Sequence, residues 1–362
     1  MTVPAAAVIL ALAIGTVGPA SRPALASGRV AVTTGVPYET VDGQTIDLDV
    51  YAPVAAGPHP GVLLVHGGQF HRGARYDLAP VGTILARRGY VAFSIDYRLA
   101  PRATYPAPLH DALQAVAYMR ANADTYGLDP TRIGALGTSA GGTIVASLGT
   151  VCGRGTSGGQ VAGVAALSGP MDLAALIQQV PDVRSLIWGY VFGRRSPGPN
   201  GTALLRDASP AGHVGPGSAP MLMAFNTAEP FPVAQYQEMV GLLQRSRVPF
   251  VFFHPKPGPF VVAALPRTLG FLAKYVGAYR GTPSVPLPAA CRLTVPTPSP
   301  SPSPSPSPTP TASATPVPSP SPSPPPHRSG GSSTLLLILG IGAAVAVGLG
   351  VWARAYFRRP TF

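Results

Sequence analysis

The sequence is short of the residues that most often announce a function. It has two cysteines in 362 residues, Cys152 and Cys291. That number excludes a disulfide-dense scaffold and a multi-thiolate centre. The seven histidines are dispersed and lack ligand spacing, so no metal is expected. No Gly-rich phosphate loop opens a strand–helix unit, so no nucleotide cofactor is expected either. Charge is scarce, at 11% of residues, and acidic groups are fewest: 14 Asp and Glu against 26 Lys and Arg, a formal net charge of +12. The basic residues are mostly single, scattered arginines. Without a dense run or an aromatic-interleaved patch, they read as surface character and not as a nucleic-acid footprint.

Apolar residues make up 46% of the chain, enough for one large α/β domain plus extra segments. Residues 1–26 read as a secretory signal. Val8 to Val17 is apolar, and Ala24-Leu25-Ala26 is a cleavage pattern. A globular domain is expected over residues 29–292. The chain then turns into nearly pure Pro and Ser/Thr between Pro296 and Pro326. Such a stretch buries no core and favours extended polyproline II, so residues 293–333 read as a disordered stalk of roughly 3 Å per residue. Thr334 to Ala353 is apolar and uncharged, the length of one bilayer crossing. Arg354, Arg358 and Arg359 follow it, so the positive-inside bias makes residues 354–362 a cytoplasmic tail. The domain is therefore expected outside the plasma membrane, with the lipid bilayer as a partner of its C-terminal helix. Cys152 and Cys291 both fall in the exported part, where a pair is more often bridged than free. A Cys152–Cys291 bridge would pin the end of the domain to its body, and spacing alone leaves bridged and free forms both open.

Within the domain, strand and helix patterns alternate. Residues 29–54 carry alternating runs that suggest an entry hairpin. Gly61 to His66 and Tyr90 to Asp96 are continuous apolar runs, as buried parallel strands should be. Leu78 to Arg88 has helical spacing between them, and His110 to Asn122 reads as an amphipathic helix. Gly127-Leu128-Asp129-Pro130 reads as a turn. Further strands are expected at Val161–Leu167, Pro220–Phe225 and Phe250–Phe253, with a closing helix at Leu269–Tyr279. Residues 171–209 lie between strands and hold Ile187-Trp188-Gly189-Tyr190-Val191-Phe192, which is too long and aromatic for a simple connection. We read them as a small cap insert. The sum is a doubly wound, mostly parallel sheet.

The chemistry centres on Gly137-Thr138-Ser139-Ala140-Gly141-Gly142. An apolar strand precedes it and a helix-like run follows. A serine at the apex of so tight a turn occupies strained backbone, and the small neighbours let strand and helix approach. The turn lifts the Ser139 hydroxyl clear of the sheet. It also puts the Ala140 N–H at a helix start, where an oxyanion could be bound.

Three stretches occur in order: His66-Gly67-Gly68; Asp96-Tyr97-Arg98-Leu99-Ala100-Pro101; and Asp129-Pro130-x-Arg132-Ile133 running into the Ser139 turn. Together they resemble the α/β-hydrolase superfamily, in its esterase/lipase branch with a His-Gly-Gly oxyanion loop. The hormone-sensitive-lipase-like and bacterial feruloyl-esterase-like groups are the nearest. The resemblance covers about residues 35–280. It implies Ser139 as nucleophile, with an oxyanion hole from Gly67, Gly68, Gln69 and Ala140. It implies an acid after the strand ending at Phe225, where Glu229 stands in place of the usual Asp. Glu229 is either that acid or an exposed loop glutamate.

The base departs from the pattern. Pro259 stands where the family has histidine, and proline can neither accept nor relay a proton. His254 is the nearest substitute, with His213 more remote and His71 better placed at a pocket rim. His66 reads as a structural histidine tying its loop. Asp111 reads as structural too, capping backbone or pairing with Arg98. Phe70, Met171, Trp188 and Phe231 are candidates for an apolar substrate pocket, with core packing as the alternative for each. The expected function is a membrane-anchored, extracytoplasmic serine hydrolase of carboxylic esters, acting on a small ester or an acylated cell-surface substrate. The competing expectation is a hydrolase fold with impaired turnover that serves as a surface binding module. A wall spacer ranks last, since it leaves the Ser139 turn unexplained.

Overall fold

The computed structural model describes residues 29–155, 158–193, 197–226, 231–255 and 260–277. The expected signal, stalk, membrane helix and tail lie outside the described residues, as do Glu229, Pro259 and Cys291.

In chain order the elements are β1 (Val30–Val41), β2 (Gln44–Pro53), β3 (His59–Val65), α1 (Ala79–Arg87), β4 (Val91–Ile95), α2 (Ala107–Ala121), α3 (Ala123–Tyr126), β5 (Leu128–Thr138), α4 (Ala140–Ser147) and β6 (Val164–Leu167). There follow α5 (Leu173–Gln179), α6 (Arg184–Phe192), α7 (Gly201–Asp207), β7 (Met221–Ala224), α8 (Ala234–Arg245), β8 (Phe250–Phe253) and α9 (Phe260–Leu272). The eight strands form one sheet in the order β1-β2-β4-β3-β5-β6-β7-β8. The entry hairpin β1–β2 is antiparallel and joins β4 antiparallel. From β4 to β8 every neighbour is parallel.

The strands read as unbroken apolar runs because both faces of the sheet are covered. Side chains alternate between the faces. Leu63, Val65, Ala135, Ala166 and Met223 join a core with α2, α4 and α8. Val62, Leu64, Leu136, Ala165 and Leu222 join a second core with α1 and α9 on the opposite face. The expected cap insert is helical, made of α5, α6 and α7.

Three local expectations need correction. Leu128 to Pro130 is not a turn. Leu128 already pairs with His59 across β3 and β5, and only Gly127 takes the left-handed conformation, ending α3. The strand expected from Val161 begins at Val164, and Val161 makes an isolated bridge to Arg154. The closing helix starts at Phe260 rather than Leu269. Pro266 lies inside it, on an exposed position. With its π-type continuation to Gly277, it is the one described helix long and apolar enough to cross a membrane, yet it packs on the sheet face. Cys152 is fully buried, and among the described residues no cysteine is free.

Chain order reverses beside β3. The path runs from β3 to β4 on one side and continues with β5 on the other. In open α/β sheets the crevice at the carboxyl ends of such strands is where ligands bind. Here those two carboxyl ends carry His66 to Phe70 and Ser139.

Candidate active site

Ser139 sits between the last residue of β5 and the first of α4, with φ 51° and ψ −121°. That backbone is costly for a residue with a Cβ, and it persists only when the surroundings impose it. Here they do. The Ser139 N–H donates to the Leu167 carbonyl at 2.7 Å, and the Ser139 carbonyl accepts from the Thr143 N–H at 3.1 Å. The turn is pressed against β3: a Cβ on Gly141 would overlap the Val65 and His66 carbonyls. Ser139 itself remains partly exposed. Ala140 opens the helix, so its N–H has no intrahelical acceptor.

The glycine loop lies directly beside it. A Cβ on Gly67 would come 3.0 Å from the Thr138 carbonyl oxygen and 3.2 Å from Ser139 Cβ. The loop then folds tightly. His71 and Arg72 N–H groups both donate to the Gly68 carbonyl at 3.1 Å. Gln69 and Phe70 both have positive φ, 60° and 67°. The structure thus sets Gly67 beside Thr138 and Ser139, with Gly68 and Gln69 following in the same loop and Ala140 following Ser139 in the turn.

The Asp96–Pro101 stretch supports this corner. The Ala100 N–H donates to the Phe70 carbonyl at 2.9 Å. Tyr97 donates its hydroxyl to the His66 carbonyl at 3.2 Å, and its ring stacks on the His66 imidazole at 4.4 Å. Arg98 is fastened to the wholly buried Asp111, with Nη2 at 2.6 Å and Nε at 2.9 Å from Oδ1. Asp111 is therefore structural through its pair with Arg98. Asp96 accepts from the Arg75 main-chain N–H at 2.8 Å and from Nη1 at 2.6 Å.

His66 is 1% exposed and its Nδ1 lies 2.6 Å from the Gly67 carbonyl oxygen. Burial pushes its pKa below the ordinary value, against an upward pull from that carbonyl. It is a neutral, loop-tying group, as its position in the sequence suggests.

The described geometry does not bring the base expected at His254 to Ser139. Thr138, Leu167, Ala224 and Phe253 are successive partners across β5, β6, β7 and β8. Ser139 and His254 each follow the end of that row. Three strand spacings, about 14 Å, separate their backbones, more than an imidazole spans. The His254 ring instead sits edge-on to Phe225 and Phe252, with centroids 5.3 and 5.2 Å away. The other described histidines are also engaged elsewhere. His59 Nε2 lies 3.0 Å from the Ala55 carbonyl oxygen, and His71 Nε2 lies 3.1 Å from that of Leu186. His110 Nδ1 lies 3.4 Å from Glu39, and His213 Nε2 lies 2.7 Å from the Asp207 carbonyl oxygen. Among the described residues, no hydrogen bond joins an imidazole to Ser139.

Of the two readings open for the pocket candidates, the structure selects core packing for Met171 and Phe70. Met171 is fully enclosed, and its N–H donates to the Gln235 side chain at 3.2 Å. Phe70 is 2% exposed and stacks on Tyr190. Phe231 is partly buried against the main core. Trp188 alone is exposed, with the Arg184 guanidinium 5.9 Å from its ring centroid. Three participants were missed: Tyr190, Gln235 and Tyr236, whose hydroxyl donates to the Gly169 carbonyl at 3.0 Å. The last two lie on α8, and the spacing of Tyr236, Met239 and Leu243 on one helical face was the signal for it.

Glu39, His110 and Asp111 bring donor atoms within 4.8 Å of one another. Arg98 already occupies Asp111, so the trio serves to hold β1 on α2.

The BD-FAE family model matches residues 48–242, which take in the glycine loop, the Ser139 turn and the cap. Carboxylesterase NlhH of Mycobacterium tuberculosis (strain ATCC 25618 / H37Rv) is 40% identical over 108 residues, 29% of this chain and 34% of that protein. Esterase LipC of the same organism is 35% identical over 113 residues, 31% of this chain and 28% of that protein. The matched stretch thus spans about a third or less of these relatives' length. Among solved structures, a truncated carbohydrate esterase from gut microbiota superposes with a TM-score of 0.59 at 20% identity, over 69% of this chain and 98% of that one. At that identity the likeness establishes the α/β-hydrolase-like fold.

Proposed function

This chain belongs to the BD-FAE family, and from that premise we propose that it is a carboxylic-ester hydrolase working through an acyl-enzyme on Ser139. The observation that carries the proposal is the strained Ser139 turn abutting the glycine loop, with Gly67 against Ser139 Cβ. In the reaction, Ser139 Oγ bonds to the ester carbonyl carbon. The developing oxyanion is received by N–H groups of Ala140 and Gly68, with Gln69 beside them. The ester C–O bond then breaks, and the hydroxyl proton departs with the alcohol. Water cleaves the acyl group from Ser139 in the second half. Glu229 is the carboxylate that follows β7, where a base-orienting acid belongs.

The substrate is a small ester or an acylated cell-surface polymer. The signal pattern, Pro/Ser stalk and apolar segment 334–353 support an exported domain tethered to the plasma membrane. A Cys152–Cys291 bridge would fasten the domain's end before the stalk.

Turnover is slow in this reading, because Pro259 stands in place of the base and triad disruption typically costs several orders of magnitude. The same observation favours a second reading, in which the fold binds an acylated surface ligand without efficient hydrolysis. Short-chain aryl-ester turnover by the folded protein separates the two. The hydrolase reading expects a rate above background that disappears in Ser139→Ala. A wild-type rate equal to that of Ser139→Ala leaves only the binding reading.

A further inference from the structure

The cap helix α6 touches the glycine loop at two points. The Phe70 ring lies on the Tyr190 ring, centroids 3.8 Å apart and planes within 10°. One residue on, His71 Nε2–H donates to the Leu186 carbonyl at 3.1 Å, and a Cβ on Gly189 would come 2.6 Å from the His71 ring. Tyr190 is itself held. Its carbonyl accepts from the Tyr105 N–H at 2.8 Å, the Tyr105 ring meets it edge-on, and the Tyr105 hydroxyl donates to the Asp207 carbonyl at 2.9 Å. Tyr190 therefore stands between the segment after β4 and the glycine loop.

The loop needs such support. Gln69 and Phe70 are consecutive side-chain-bearing residues at positive φ. That conformation is disfavoured for each, and it lasts only where packing dictates it. The Gly68 and Gln69 N–H groups point where the loop's dihedrals aim them. A loop relaxing out of this shape would carry those donors away from Ser139.

We propose that Tyr190, through the Phe70 ring, is a positioning residue that holds the oxyanion loop in its donor-presenting conformation, with His71 as a second fastening to the same helix. The insert is in this respect a clamp on the loop. The proposal rests on the reading of Ser139 as an acylated nucleophile. It adds that cap and hole are one mechanical unit.

The test compares Tyr190→Leu, Tyr190→Phe and His71→Ala with wild type. Three readouts are used: aryl-ester kinetics, the rate of Ser139 labelling by a fluorophosphonate, and amide hydrogen exchange of the 67–72 peptide. Misplacing an oxyanion donor by about 1 Å costs on the order of 10²-fold. Tyr190→Leu should lower kcat by roughly 10- to 100-fold with little change in KM, slow labelling in parallel, and speed exchange in residues 67–72. Tyr190→Phe keeps the stacked ring and should restore wild-type values. His71→Ala, which leaves the aromatic packing intact, should show the same pattern more weakly and serves if Tyr190→Leu does not fold. Unchanged loop exchange in folded Tyr190→Leu, or in His71→Ala where that variant stands in, overturns the clamp whatever the enzyme's activity. Absent labelling in wild type defeats the nucleophile reading instead, and the exchange data still decide the clamp.

Discussion

At the scale of single residues, the corner around Ser139 shows which chemistry a sequence can display. The demands there are steric. Gly137 and Gly141 are small because neighbouring backbone atoms leave no room for a side chain, and such constraints appear in sequence as short glycine-rich words. The Ser139 turn and the His66-Gly67-Gly68 loop were legible for that reason. A base is different, because it reaches the serine through tertiary geometry. His254 looked available by its place after the last strand, yet the register of four strands sets it too far from Ser139. Phe70 and Met171 were open between two roles, since an apolar residue beside a site reads alike whether it lines a pocket or fills the core, and both fill the core. His66 yields a residue-level prediction. Unfolded, its imidazole takes a proton near pH 6.5. Folded, burial holds its pKa below that value. Below about pH 6.5 the unfolded state therefore binds more protons, and stability falls as pH falls toward the lowered folded value. His66→Asn should flatten this slope, read as a smaller difference in urea midpoint between pH 7.5 and pH 5. A slope unchanged by the substitution would assign the effect to other groups.

At the scale of elements, strand identity was legible and several boundaries were not. Runs such as Val62-Leu63-Leu64-Val65 fit strands covered on both sides, and this one is such a strand. The helix α9 begins nine residues before its expected start, and Pro266 lies within it at an exposed position. The amphipathic face of α8 went unread. Elements also carry the support of the site. The segment after β4 reaches α2 through Arg98 and Asp111, whose side chains are 13% and 0% exposed, and it reaches the glycine loop through Ala100 and Tyr97. Arg98→Met leaves a buried carboxylate without its cation, which costs about 3–5 kcal/mol. The expected outcome is a lowered urea midpoint together with slower Ser139 labelling, because the same segment holds Phe70. A loss of stability under about 1 kcal/mol would place the pair among weak, solvent-screened ones.

At the scale of the whole molecule, the reversal of strand order beside β3 puts the glycine loop and the Ser139 turn on adjacent carboxyl ends. Alternation of strands and helices gives a doubly wound sheet, but the order of its strands is set by tertiary packing that no local pattern spells out. In the proposed reading, the Pro/Ser stretch and the apolar segment 334–353, which lie outside the described residues, would tether the domain to the membrane. A chain ended at Ser333 should accordingly be recovered from the culture medium and not from the membrane. The most direct test of the central claim is the intact mass of that folded protein after treatment with a fluorophosphonate. The account predicts one adduct per chain, mapped to the peptide containing Ser139 and lost in Ser139→Ala. A folded protein that gains no adduct, or gains it elsewhere, would contradict it.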